Sequence, residues 1–95
     1  MTYQPPEATM AAAQRIMDRC DELAGITALT DDAGHSAGIL RAYLTPEHAE
    51  HNALAAAWMT EVGLSTWQDA AGNQCGRLEG SQDGLPALML ASHLD

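Results

Sequence analysis

The residues best placed to do chemistry are a histidine and an aspartate near position 95. Residues 88–95 read LMLASHLD, so His93 and Asp95 are two positions apart. In a β-strand such residues project to the same side. The carboxylate can then accept a hydrogen bond from the imidazole, which fixes the tautomer and makes the ring a better metal ligand. The spacing suits a metal-ligating or general-base histidine, although a histidine at a strand end is often only structural.

The segment before this pair predicts a buried strand. Residues 86–92 read PALMLAS, a continuous apolar run that follows the turn-forming residues 80–84. An apolar run without alternation is typical of a strand that is covered on both faces. In α/β proteins the residues that contact a ligand follow the carboxyl ends of such strands. His93 and Asp95 would therefore stand at the tip of an interior strand.

Two helices are predicted upstream of this strand. Glu7 to Ala24 places apolar residues such as Met10 and Met17 at helical spacing, and Gly25 is expected to end the helix in a left-handed conformation. The second helix should begin after Thr45, which can cap it, and run from Pro46 to about Val62. Its many alanines are typical of a helix that lies on a sheet.

A β-hairpin is predicted between the second helix and the buried strand. Residues 64–69 and 74–79 favour extended structure, and the turn-forming residues 70–73 separate them. The fold class is therefore α/β, in the order helix, helix, β-hairpin, buried strand. We expect residues 1–6 to be a flexible leader and residues 7–95 to be an incomplete portion of a larger domain, because a strand buried on both faces needs further neighbours. The 95 residues are thus expected to be a fragment.

Composition excludes several classes of partner. The chain carries four arginines, no lysine and 13 acidic residues, for a net charge of −9. Almost nothing could neutralise phosphate, so neither nucleic acid nor an anionic membrane is expected as a partner. The two cysteines, Cys20 and Cys75, form no metal-binding or redox motif, and no export signal precedes them. Reduced cysteines without such a signal indicate the cytoplasm.

Several segments resemble a known enzyme family when taken in order. They are YLTPEH at 43–48, DAAGN at 69–73 and SHLD at 92–95. Residues 8–95 are similar to the N-terminal part of the allantoate amidohydrolase and N-carbamoyl-L-amino acid hydrolase family. These are dinuclear-metal amidohydrolases related to aminoacylase and carboxypeptidase G. Within the family, the residues at 41–47 and 67–69 are most similar to the allantoate branch.

The resemblance implies a role for each residue of the pair. His93 would ligate one of two divalent ions, zinc or manganese, and Asp95 would be the catalytic carboxylate that orients His93. The fold would be the N-terminal part of a metallopeptidase-like catalytic domain. The complete protein would be a homodimer that hydrolyses a ureido or carbamoyl C–N bond of a small molecule. The family's other ligands are missing from this chain, so we expect it to be inactive alone and to retain no metal.

Alternatives stay open at this point. Within the family, the substrate could be allantoate or an N-carbamoyl-L-amino acid, since residues beyond position 95 would select it. Outside the family, an acidic protein with few large apolar residues for a core could be a non-enzymatic interaction module. His48 and His51 lie three positions apart on the second helix. They could bind a metal adventitiously, but an exposed polar face is the favoured interpretation.

Overall fold

The computed structural model describes residues 2–94 and contains two helices and one two-stranded sheet. The elements, in chain order, are α1 (Glu7–Ala24), α2 (Pro46–Glu61), β1 (Ser65–Gln68) and β2 (Gln74–Arg77). The chain forms two compact units, Met1–Leu40 and Arg41–Asp95. Within residues 2–94, neither helix is long and apolar enough to cross a bilayer.

The first unit contains α1 and an irregular segment. The helix has the predicted bounds, but Gly25 ends it with a φ of −73°, so the left-handed ending that we expected is wrong. The Gly25 amide instead donates to the carbonyls of Asp21 and Glu22, which satisfies the last turn without a left-handed residue. Ile26 is buried, whereas the apolar face that includes Met10 and Met17 is exposed.

The second unit begins with a tightly capped helix. The Thr45 hydroxyl accepts a hydrogen bond from the amide of His48 at 3.3 Å and donates to the carbonyl of Ala42 at 2.6 Å. Pro46 follows at the first helical position, where the missing amide hydrogen costs nothing. The chain is therefore fixed both before and after the point where α2 begins.

The predicted hairpin forms and packs on α2. β1 and β2 pair antiparallel, with Thr66 opposite Gly76 and Trp67 opposite Cys75. The hairpin and α2 approach closely at Gly76, where an added Cβ would lie 2.7 Å from the Met59 sulfur and 2.9 Å from Leu64 Cδ2. The alanine-rich helix thus lies on the sheet as predicted.

The predicted buried strand at 86–92 is wrong for this structure. Residues 86–92 have no regular secondary structure and are exposed; Leu88, Met89 and Leu90 each keep at least 85% of their surface accessible. A strand requires a partner for its backbone groups, and the one sheet in residues 2–94 consists of β1 and β2 alone. Of the predicted elements, the two helices and the antiparallel hairpin are therefore present in the structure.

The cap of α2 gives a testable prediction. Replacing Thr45 with alanine removes the acceptor for the His48 amide, and we expect it to lower the free energy of unfolding by about 1 kcal/mol. Thr45→Ser keeps the hydroxyl and should recover most of the loss. Urea denaturation of the three proteins measures this difference. An alanine variant as stable as wild type would show that the cap contributes nothing.

Candidate functional site

His93 lies in an exposed segment without helix or strand that lines an open groove. The groove has a volume of about 1340 Å³ and runs between residues 78–94 and the face formed by α2 and the hairpin. His93 lines it together with Met59 and Trp67. The imidazole is therefore accessible from the groove. Asp95 lies outside the described residues, so the pairing of His93 with Asp95 stays a prediction.

Arg41 binds the main chain beside His93. Its Nε donates a hydrogen bond of 2.8 Å to the carbonyl oxygen of Leu94, 53 positions away in the chain. Arg41 is half-buried and stands four residues before the Thr45 cap of α2. The segment before α2 is thereby connected to the main chain at Leu94, the residue that follows His93. Nothing in the local sequence pattern indicated this contact.

The first turns of α2 hold the turn of the hairpin. Asn52, which is 4% exposed, donates from Nδ2 to the carbonyl of Gly72 at 2.9 Å. The Tyr43 hydroxyl donates to the carbonyl of Ala71. His48 Nδ1 accepts from the amide of Leu44 at 3.0 Å, and this bond holds the ring beside the Gly72 turn. Three side chains from residues 43–52 therefore meet one turn of the hairpin.

Asp69 organises that turn from within. One carboxylate oxygen accepts from the backbone amides of Ala71 and Asn73, at 3.0 and 2.9 Å, and the other accepts from the Asn73 side chain at 2.8 Å. The Asn73 side-chain amide, followed by these backbone amides, holds the pKa of Asp69 below its usual range. The DAAGN segment is therefore a turn in which the side chain of Asp69 accepts hydrogen bonds from the backbone amides.

His51 is buried, so our interpretation of His48 and His51 as an exposed polar face is wrong. His51 is 1% exposed, and neither ring nitrogen has a hydrogen-bond partner within the described part of the chain. Burial lowers the pKa of His51, and the nearby basic groups Arg41 and His48 lower it further. The ring is therefore held in its neutral form. Its i, i+3 spacing from His48 gave no sign of this burial.

In the acidic loop of the first unit, the carboxylate of Asp31 accepts hydrogen bonds from groups of the same loop. Asp31 accepts from the backbone amides of His35 and Ala33 at 2.8 and 2.9 Å, and its second oxygen lies 3.3 Å from His35 Nδ1. These bonds, the one from the His35 amide above all, lower the pKa of Asp31. The Asp31 carboxylate is therefore held by groups of its own loop.

The donor set of this chain fits one part of a metal site. Across residues 2–94, no three side chains from histidine, cysteine, aspartate or glutamate are grouped so that they could hold a metal ion. A catalytic zinc site takes three protein ligands. His93 can offer one accessible imidazole, and the described residues do not complete a site around it.

Comparison with known proteins identifies N-carbamoyl-L-amino-acid amidohydrolases and allantoate deiminases among the relatives. An N-carbamoyl-L-amino-acid amidohydrolase of Paenarthrobacter aurescens is 38% identical over 85 residues, which cover 90% of this chain and 19% of that protein. An allantoate deiminase of Arabidopsis thaliana is 36% identical over 67 residues, covering 70% of this chain and 12% of that protein. An N-carbamoyl-L-amino-acid amidohydrolase of Pseudomonas sp. (strain NS671) is 41% identical over 58 residues, covering 61% and 14%.

The chain thus spans less than a fifth of the length of these relatives. No family model matches the chain, and no solved structure matches it. The relatives confirm the resemblance that the segments at 43–48, 69–73 and 92–95 indicated. Both branches of the resemblance occur among them.

Two glycines test the contact between α2 and the hairpin turn. Gly72 and Gly63 both have positive φ angles, +88° and +90°. A Cβ on Gly63 meets nothing within 4 Å, whereas one on Gly72 would lie 3.3 Å from His48 Cε1 and 3.4 Å from Tyr43 Cε2. Gly63→Ala should cost about 1–2 kcal/mol from the backbone alone, and Gly72→Ala should cost more. Denaturant midpoints compare the two, and equal losses would mean that the turn does not press on these rings.

Buried His51 predicts instability in mild acid. In the unfolded chain this imidazole takes up a proton near pH 6.5, whereas the folded state resists protonation. The unfolded state then binds more protons, so the free energy of unfolding falls as the pH drops below about 6.5. Thermal melts from about pH 7.5 to about pH 5.5 should show this slope. His51→Met should flatten it and His35→Gln, at an exposed position, should retain it; an unchanged slope in His51→Met would refute the assignment.

Proposed function

We propose a function for this chain, which belongs to the family of N-carbamoyl-L-amino-acid amidohydrolases and allantoate deiminases. In the proposal, it contributes His93 to the site of a metal-dependent amidohydrolase. The complete enzyme hydrolyses a C–N bond of a ureido or carbamoyl group. The observation that carries the proposal is the 38% identity with an amidohydrolase over 90% of this chain, and the accessible imidazole in the groove agrees with it.

The proposed fold of the complete protein is a metallopeptidase-like α/β catalytic domain. Leu88, Met89 and Leu90 are consecutive, so in a strand they would face both sides alternately. All three are exposed here, which leaves apolar surface on both sides of the segment. We propose that residues 86–92 become an interior strand when further strands and helices of the same domain cover them.

The proposed cofactor is a pair of divalent ions, zinc or manganese. Such ions act as Lewis acids and lower the pKa of bound water. Of the residues in this chain, His93 would supply one imidazole and Asp95 would hold that imidazole in one tautomer. The other ligands would come from residues that the chain does not contain. The 95-residue chain alone is therefore proposed to be inactive and to retain no metal.

The substrate within the family is proposed from the names of the relatives. Relatives of both kinds, N-carbamoyl-L-amino-acid amidohydrolases and allantoate deiminases, match this chain at similar identity. We retain allantoate as the first substrate to assay and N-carbamoyl-L-amino acids as the second. A homodimer and a cytoplasmic location complete the proposal. A non-enzymatic interaction protein is less favoured, because the matching relatives are named as enzymes.

A substitution at His93 tests this function. The protein encoded by the complete reading frame should hydrolyse allantoate or an N-carbamoyl-L-amino acid, and chelation should abolish the reaction. Removing a residue that only orients a metal ligand lowers metal affinity or activity by about 10–100-fold. Removing the ligand itself in His93→Ala should therefore lower kcat/KM by at least about 100-fold and lower the metal content. Ammonia release and elemental analysis measure both quantities.

The matched control is His35→Ala, which removes an exposed histidine from the loop of the first unit. It should keep both activity and metal. Near-normal turnover in His93→Ala would refute the role of His93. Absence of any ureido hydrolysis in the wild-type protein, with metal supplied, would refute the proposed function itself.

A further inference from the structure

We propose that Arg41 is a positioning residue for the His93 end of the site, an inference that rests on the proposed function. The observation is the bond from Arg41 Nε to the carbonyl oxygen of Leu94, at 2.8 Å. That carbonyl belongs to the residue between His93 and Asp95. A donor that holds this carbonyl restrains the main chain at the residue that follows His93.

The position of Arg41 is itself fixed by the start of α2. The Thr45 hydroxyl donates to the carbonyl of Ala42, and the amide of Leu44 donates to His48 Nδ1. Leu44 adopts a φ of +61°, a conformation that a leucine keeps only where its surroundings hold it. Arg41 therefore enters the site from a segment that several bonds restrain, which a positioning group requires.

The surroundings of Arg41 differ from those of an ordinary surface arginine. Its side chain is half-buried, and its charge acts on the buried His51 ring. Arg77, by comparison, is exposed and pairs with the carboxylate of Glu79 at 2.7 Å. Arg41 donates to a backbone carbonyl, and a hydrogen bond from a charged donor is shorter and stronger than one between neutral groups. Its geometry is therefore that of a clamp on the main chain.

The segment that Arg41 contacts is exposed over most of its length. Residues 85–94 contain no helix or strand, and Leu88 to Leu90 keep at least 85% of their surface accessible. Leu94 is half-buried where the arginine reaches it. A bond at this point restrains the main chain immediately after His93. The restriction is useful because ligand and orienting groups must be held within a fraction of an ångström.

The test uses the protein encoded by the complete reading frame, with Arg41→Met as the main variant. Methionine keeps an unbranched stem and removes the donor. We expect kcat to fall about tenfold or more, in the range seen for groups that orient metal ligands, with KM changed by less than about threefold. Arg41→Lys keeps the charge and a donor on the stem and should lie between Arg41→Met and wild type.

A second readout does not depend on turnover. Hydrogen exchange measured by mass spectrometry on peptides covering residues 90–95 should be faster in Arg41→Met than in wild type, with exchange in α1 unchanged. Arg15→Met is the matched control, since Arg15 lies exposed on α1. It should leave kcat and hydrogen exchange at residues 90–95 as in wild type.

The outcomes separate the two proposals. The positioning role is supported if the wild-type protein is active and Arg41→Met shows both a lower kcat and faster local hydrogen exchange. Wild-type turnover with kcat in Arg41→Met within twofold, or with a loss that matches the unfolded fraction alone, overturns the positioning role and leaves the function intact. A complete wild-type protein that hydrolyses no ureido compound overturns both.

Discussion

The contact between Asn52 and the carbonyl of Gly72 is the constraint on which the second unit depends. Asn52 is 4% exposed, so its amide must be satisfied inside the protein. The bond of 2.9 Å to Gly72 does this, and it sets the position of α2 along the hairpin. Asp69 gives the turn its shape by accepting from Ala71 and Asn73, so the carbonyl of Gly72 is presented in one orientation. Helix and hairpin are thereby joined by a polar contact as well as by the close approach of Gly76 and Met59.

The helices and the hairpin could be predicted because their signals are local. Thr45 and Pro46 mark the start of α2 through a cap and a residue that needs no donor, and both do so in the structure. The turn residues 70–73 bring two short strands together at short range. The last turn of α1 was harder, because Gly25 permits a left-handed ending without requiring one. Hydrogen bonds to Asp21 and Glu22 completed the helix in another way.

The failures concern burial, which depends on distant parts of the chain. The apolar run at 86–92 was predicted as an interior strand on composition alone, yet a strand forms only when other strands accept and donate its backbone bonds. His51 shows the opposite error, since a histidine with acidic neighbours in sequence suggested an exposed face. Its helical position turns the ring inward, where its nitrogens find no partner in the described chain. Periodicity specifies which residues share a face and does not specify what covers that face.

The candidate site divides in the same way between local and distant information. His93 could be selected from its two-residue spacing to Asp95, because that spacing carries a chemical reason of its own. Arg41 could not be selected, because its contact with Leu94 joins positions 53 residues apart. Yet the two are complementary in physical terms. A metal ligand is useful only when its ring is held in few orientations. The bond from Arg41 restrains the main chain at the residue that follows His93. In the proposed site, Arg41 and the restrained segment before α2 therefore act together with His93.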